Sequence, residues 1–194
     1  MAGPHRTSGR SVLGIVTAGA LVLACSAPAF AGVPRGRFGI GDSIMLSASS
    51  ELADYGFGTN AEVGRRFDVG VRIVRRLATH AKLPRNVVVH LGTNGPVDPD
   101  DCAALIGLAP KRQIYLVNVR VPRDWQDDVN ATLRACARPY ERVHHLNWWK
   151  KSGPHLDEWL AKDGFHLTAE GRAGYAAWID ERVDRVVRAL RTGR

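Results

Sequence analysis

Asn86-Val87-Val88-Val89-His90-Leu91-Gly92-Thr93-Asn94-Gly95 is a continuous β-branched run that breaks into a glycine-flanked loop. A strand without polar alternation is expected to be covered on both faces, as in a parallel sheet. Outward from it, Gln113 to Val119 is a second such run, and Arg37 to Ser43 reads as a short strand ending in a loop. Asn60 to Gly64 and Arg142 to Trp148 complete five candidate strands. Helical spacing lies between them. Asp98-Pro99 is an N-cap followed by proline at the first helical position, after which Cys102, Leu105 and Ile106 share a face. Trp125, Val129, Leu133 and Cys136 repeat helically, as do Tyr175, Ile179, Val183, Val186, Val187 and Leu190. Strand–helix alternation predicts a three-layer α/β/α sandwich around a central, mostly parallel five-stranded sheet. Sites in such sheets form at the carboxyl ends of the strands.

Three strand or loop ends carry chemistry-bearing residues. Gly41-Asp42-Ser43 presents a serine where the first strand stops, although the same tripeptide is an ordinary turn. Gly92-Thr93-Asn94-Gly95 can aim an amide N–H into a cleft, as an oxyanion donor must. Asp163-Gly164-Phe165-His166-Leu167-Thr168 puts a carboxylate three residues before a histidine, where it can hold Nδ1 and leave Nε2 to a serine. Each motif alone has a bland reading as a turn, or as a helix start capped by Thr168.

Together, in this order and over roughly residues 37–180, they resemble the SGNH hydrolases, also called the GDSL esterase/lipase superfamily. The signature residues fall on Ser43 in "GDSIML", Gly64 in "AEVGRRF", Asn94 in "GTNG" and His166 in "DGFHLT". The wording is most similar to SGNH domains attached to membrane acyltransferases, such as peptidoglycan O-acetyltransferases. The resemblance implies a flavodoxin-like fold and acyl transfer through a serine ester. It makes Ser43 the nucleophile, His166 the general base and then acid, and Asp163 the group that fixes the imidazole tautomer. The oxyanion hole would comprise the backbone N–H groups of Ser43 and Gly64 and the side-chain amide of Asn94. No metal or organic cofactor is implied. The α/β-hydrolase elbow G-x-S-x-G is absent from the sequence. Relatives often read Asp-Trp where this chain has Asn147-Trp148, so no role of that Asp is carried over to Asn147. No membrane acyltransferase portion accompanies the domain in this sequence, so an acyl donor is expected to be soluble or at the cell surface.

The 194 residues, 45% hydrophobic and 24% charged, suit one globular domain and exclude a disordered or low-complexity chain. Residues 1–31 read as a signal peptide: Arg6 and Arg10, the apolar run Ser11 to Ala24, then Ala29-Phe30-Ala31 with cleavage before Gly32. The apolar run is short for a bilayer span, so no transmembrane segment is expected in the mature chain of residues 32–194. A lipobox-like Val22-Leu23-Ala24-Cys25 is the rival reading, with Cys25 lipidated. The expected location is extracytoplasmic. Of 27 Lys and Arg only Arg6 and Arg10 leave with the leader, against 19 Asp and Glu, so the mature chain stays basic. Such a surface suits an anionic cell-wall polymer or simply solubility. No basic run with interleaved aromatics points to nucleic acid. A monomer is expected. Cys102 and Cys136 are a candidate disulfide in an oxidising compartment, the alternative being two buried thiols.

His144-His145 with Asp163 and His166 suggests a metal cluster, but adjacent strand residues point to opposite faces, so at most one histidine joins the site. His90 reads as a hydrogen-bonded core histidine. Of Trp148, Trp149 and Trp159, at least two are expected in the core rather than on a sugar-stacking platform. Three functions remain open: an exported serine esterase removing small acyl groups, acetyl foremost, from envelope carbohydrate; a carbohydrate O-acyltransferase; or a non-catalytic envelope-binding module that keeps the fold.

Overall fold

The computed structural model describes Met1, Gly3 and residues 36–193. The signal peptide and the Cys25 lipid site lie outside the described residues. The strands are β1 (Arg37–Gly41), β2 (Phe57–Ala61), β3 (Asn86–His90), β4 (Gln113–Val117) and β5 (Val143–Leu146). All pair in parallel, in the order β2-β1-β3-β4-β5. Helices α1 (Ser43–Ser47) and α2 (Ser49–Asp54) follow β1, α3 (Phe67–Thr79) follows β2, and α4 (Pro99–Gly107) and α5 (Gln126–Ala137) follow β3 and β4. After β5 come α6 (Trp148–Ser152), a 3-10 turn (Gly153–His155), α7 (Leu156–Trp159) and the long α8 (Ala169–Thr192). No helix among the described residues is long and apolar enough to cross a membrane.

β3 explains the unbroken apolar run. Val87 and Val89 enter one core with Phe67 and Val71 of α3, Leu105 of α4 and Leu133 of α5. Val88 points into a second core with Trp148, Tyr175 and Ile179. Both faces of the strand therefore leave water. The disulfide joins Cys102 of α4 to Cys136 of α5, with Cα atoms 6.4 Å apart.

Three local features differ from the sequence reading. The second strand is Phe57–Ala61, three residues earlier than expected, and Gly64 lies beyond it in a turn. As the sheet's edge, it is buried only at Phe57, so no continuous apolar run marks it. Trp148 starts a helix instead of ending β5, because the Asn147 side chain accepts the Lys150 N–H at 2.8 Å and caps α6. Helix α3 is not among the segments picked out by apolar spacing. Its buried stripe Phe67, Gly70, Val71 and Val74 stands opposite an arginine-rich outer face, a helical pattern that the sequence reading passed over. Gly70 is needed for closeness: a Cβ there would stand 2.4 Å from Leu91 Cδ1.

The start of α8 is set by another such approach. The Thr168 hydroxyl accepts the Gly171 N–H at 3.0 Å as N-cap. A Cβ on Gly171 would lie 2.0 Å from the Trp159 carbonyl oxygen, which already accepts the Thr168 N–H at 2.9 Å. Backbone cannot swing aside as a side-chain tip can. Gly171→Ala is therefore expected to cost about 3 kcal/mol, the upper range for overpacking, as a lowered urea midpoint. An unchanged midpoint would show that α7 and α8 are not locked at this contact.

Candidate active site

Glycine at position 41 is required by packing rather than by turning. A Cβ there would meet Met45 Cβ at 2.3 Å, so the bare strand end lets α1 fold back onto β1. Asp42 caps that helix, its Oδ1 accepting the Ile44 N–H at 3.0 Å. Ser43 thus emerges at the carboxyl end of β1 with its hydroxyl held over the sheet edge.

From the far end of the chain, the Asp163–Thr168 loop brings the other two groups. Ser43 Oγ lies 3.1 Å from His166 Nε2, and His166 Nδ1 lies 2.7 Å from Asp163 Oδ2. A proton on Nδ1 donated to Asp163 leaves the Nε2 lone pair to accept the serine O–H. Asp163 Oδ1 also accepts the backbone N–H groups of Phe165 (3.2 Å) and His166 (3.0 Å), with Gly164 at φ +81° closing the turn. Partial burial would raise the Asp163 pKa, but the hydrogen bonds from His166 and from the two backbone N–H groups outweigh it and hold the carboxyl below its ordinary value. Phe165 packs on the imidazole, ring centroids 4.1 Å apart.

Gly64 and Asn94 are tied to this centre through Arg65. The Arg65 N–H closes a turn on the Glu62 carbonyl at 3.4 Å, with Gly64 at φ +74° in the position that favours glycine. One Nδ2 hydrogen of Asn94 goes to the Arg65 carbonyl at 3.3 Å, and the other has no acceptor among the described residues. The structure thus shows two sets, Ser43–His166–Asp163 and Gly64–Arg65–Asn94, the second reaching the strand that carries Ser43 through the bond from Arg65 to the Gly41 carbonyl.

Next to the serine is a buried polar group of which the sequence reading found only His90. Asp42 is wholly buried, as are His90 and Tyr175, and His90 Nδ1 lies 2.9 Å from the Tyr175 hydroxyl. His90 is thus the hydrogen-bonded core histidine expected. Burial pushes its pKa down to about 3. Burial pushes the Asp42 carboxyl up to about 6, with the Ile44 N–H, the nearby Thr93 hydroxyl and His166 pulling the other way. No hydrogen bond of good geometry reaches Asp42 Oδ2 or Thr93 Oγ1.

A raised carboxyl pKa means the folded state holds that proton more tightly than the unfolded chain. Asp42's contribution to stability therefore falls as pH rises from 3.8 to about 6. His90 acts oppositely, because its neutral folded form is penalised as pH drops below 6.5. Asp42→Asn isolates the first effect: its amide can still accept from Ile44 and can donate to Thr93. The variant is expected to be more stable than wild type by about 3 kcal/mol at pH 8, the difference closing by about pH 4. Urea titrations at the two pH values measure it; a variant less stable at pH 8 would contradict it.

The other histidines and tryptophans stay out of the centre. His144 Nε2 lies 2.8 Å from Gln113 Oε1 and its ring stacks on Tyr115, while His145 Nε2 is buried without a partner. Trp148 and Trp159 are core residues and Trp149 is exposed. Asn147 receives the Asn118 amide at 3.1 Å besides capping α6, a bracing role.

The fold, with three of these blocks in this order after its strands and the fourth in the loop before α8, is that of an SGNH hydrolase. By sequence the chain is homologous to peptidoglycan O-acetyltransferases. It is 34% identical over 143 residues to peptidoglycan O-acetyltransferase OatA of Listeria monocytogenes, a match covering 72% of this chain and 22% of that protein. The chain thus spans less than a quarter of that relative's length. The C-terminal catalytic domain of Streptococcus pneumoniae peptidoglycan O-acetyltransferase A superposes with a TM-score of 0.66 at 23% identity, over 83% of this chain and 95% of that domain. A Clostridium thermocellum family 3 carbohydrate esterase gives a TM-score of 0.61 at 16% identity, over 79% of this chain and 98% of that one. No protein-family model matches the chain.

Proposed function

We propose that this chain is an exported enzyme that removes or transfers small acyl groups, acetyl foremost, on cell-envelope carbohydrate through an ester on Ser43. The observation that carries the reading is the unbroken hydrogen-bond line Ser43–His166–Asp163. Homology to peptidoglycan O-acetyltransferases supports the acyl group and the carbohydrate. Ser43 Oγ attacks the ester carbonyl as its proton passes to His166 Nε2. The oxyanion is met by the N–H groups of Ser43, Gly64 and Asn94, each such donor typically being worth about 3 kcal/mol. Collapse expels the alcohol, which takes the proton back from His166. Water or a sugar hydroxyl, deprotonated by the same nitrogen, then attacks the acyl-serine and regenerates Ser43.

Hydrolysis and transfer share that intermediate, so the acceptor decides between them. Wild type and Ser43→Ala are compared on p-nitrophenyl acetate, butyrate and octanoate, with and without chito-oligosaccharide acceptors. The expected result is acetate turnover that vanishes in the variant and falls with acyl length, with acetylated sugar formed when acceptor is added. A folded wild type with no turnover and no labelling of Ser43 by a serine-directed phosphonate would make the chain a binding module instead.

A further inference from the structure

We infer that Arg65 is the positioning residue of the oxyanion hole, a buried guanidinium that fixes the loops of Ser43, Gly64 and Asn94 relative to one another. The inference rests on the proposed role of those three residues. The Arg65 side chain is 6% exposed, against 72% for its carboxylate partner Glu62. Its Nη1 donates to the Gly41 carbonyl at 3.2 Å, two residues before the serine, and also to the Asn60 carbonyl. Those carbonyls belong to neighbouring strands, β1 and β2, paired at Ile40–Asn60 and Gly41–Ala61. The Glu62 N–H reaches the same Gly41 oxygen at 3.2 Å, so backbone and side chain of one loop converge on one acceptor. The main chain of Arg65 adds the remaining links: it follows Gly64 directly, and its carbonyl receives the Asn94 amide.

Each of the three proposed donors therefore lies within two residues of an Arg65 contact, or makes one itself. Burying a cation is costly unless its donors are satisfied. Here Nη1 and Nη2 are engaged while Nε is buried without a partner. Its carboxylate partner Glu62, bonded to Nη2 at 3.1 Å, is mostly in water, so it offsets the positive charge behind the loops only in part. A fixed cation beside the place where negative charge develops favours the transition state over the neutral ester. Lysine supplies a point charge without the planar fork and can seize one strand-end carbonyl less firmly. Arg66, next in sequence, is exposed and makes none of these contacts.

The test uses Arg65→Met, Arg65→Lys and Glu62→Gln on p-nitrophenyl acetate, with labelling of Ser43 by phenylmethylsulfonyl fluoride as a second reading. Arg65→Met is expected to lower kcat about 100-fold with KM within about 3-fold, and to slow labelling in parallel. The pH profile should keep its shape and lose only height. Arg65→Lys should recover about 10-fold of the loss, and Glu62→Gln should equal or exceed wild type. If Arg65→Met fails to fold, the lysine and glutamine variants carry the test, since lysine keeps the charge and Glu62 is exposed. Arg65→Met or Arg65→Lys at wild-type kcat would overturn the inference. So would a shifted pH profile, which would place the action on His166, or a Glu62→Gln loss as deep as that of the arginine variants. A wild type that is labelled normally while Arg65→Met is labelled just as fast refutes Arg65 alone. A wild type that neither turns over nor labels removes the oxyanion hole and the inference with it.

Discussion

His166→Ala is expected to lower kcat on p-nitrophenyl acetate by about 10⁴-fold or more, with KM little changed. Among the described residues the imidazole is the only side chain hydrogen-bonded to the Ser43 hydroxyl, at 3.1 Å, so without it the proton has no acceptor as the new bond forms. Asp163→Asn should cost less, about 10²-fold. A buried triad aspartate that fixes the tautomer is worth about 10⁴, but this carboxylate is 43% exposed and water can replace part of its interaction with the imidazole. The order of the two variants is the discriminating result. Equal losses would mean that Asp163 sets the geometry of the whole loop, through the two backbone N–H groups it also receives.

Opening the Cys102–Cys136 disulfide is expected to cost about 4 kcal/mol of unfolding free energy. Its residues are 34 apart in sequence, and a loop of that length restricts the unfolded chain by about this amount in the chain-entropy model. The bond joins α4 and α5 on the face away from α8, so the folded fraction should keep its kcat. Urea unfolding with and without reductant measures the effect, and a Cys102→Ala/Cys136→Ala double variant checks it. Two titratable thiols in denatured, unreduced protein would remove the bond, and a change below about 1 kcal/mol would show that loop closure contributes little here.

Much of this was legible in the sequence, for physical reasons that differ by element. β3 was readable because burial on both faces forces an uninterrupted β-branched run. The α4 start was readable because Asp98-Pro99 is both cap and first turn, and Asp98 does accept the Asp100 N–H at 2.8 Å. The Ser43–His166–Asp163 line was legible because the resemblance pairs a serine after the first strand with a D-x-x-H loop before the last helix, and the structure brings the three into hydrogen-bond contact. The edge strand β2 was misplaced because a half-exposed strand has no hydrophobic signature. Asp42 and Arg65 were hidden in plain view inside "GDS" and "VGR". A charged residue in a loop reads as solvated, and only the three-dimensional packing shows that one caps a helix in a dry interior and the other reaches across two strand ends.

The contact between Ser43 and His166 spans 123 positions of the chain. The last helix is also needed at the start of the sheet, where Arg37 pairs with Asp180 and Asp184. On a ribosome, Ser43, Gly64, Asn94 and the five described strands emerge before His166 does. A nascent or truncated chain that stops after β5 carries a serine with nothing to deprotonate it. On the proposed mechanism, acyl chemistry is then the final property acquired during biosynthesis, and a copy without His166 is chemically silent rather than partly active.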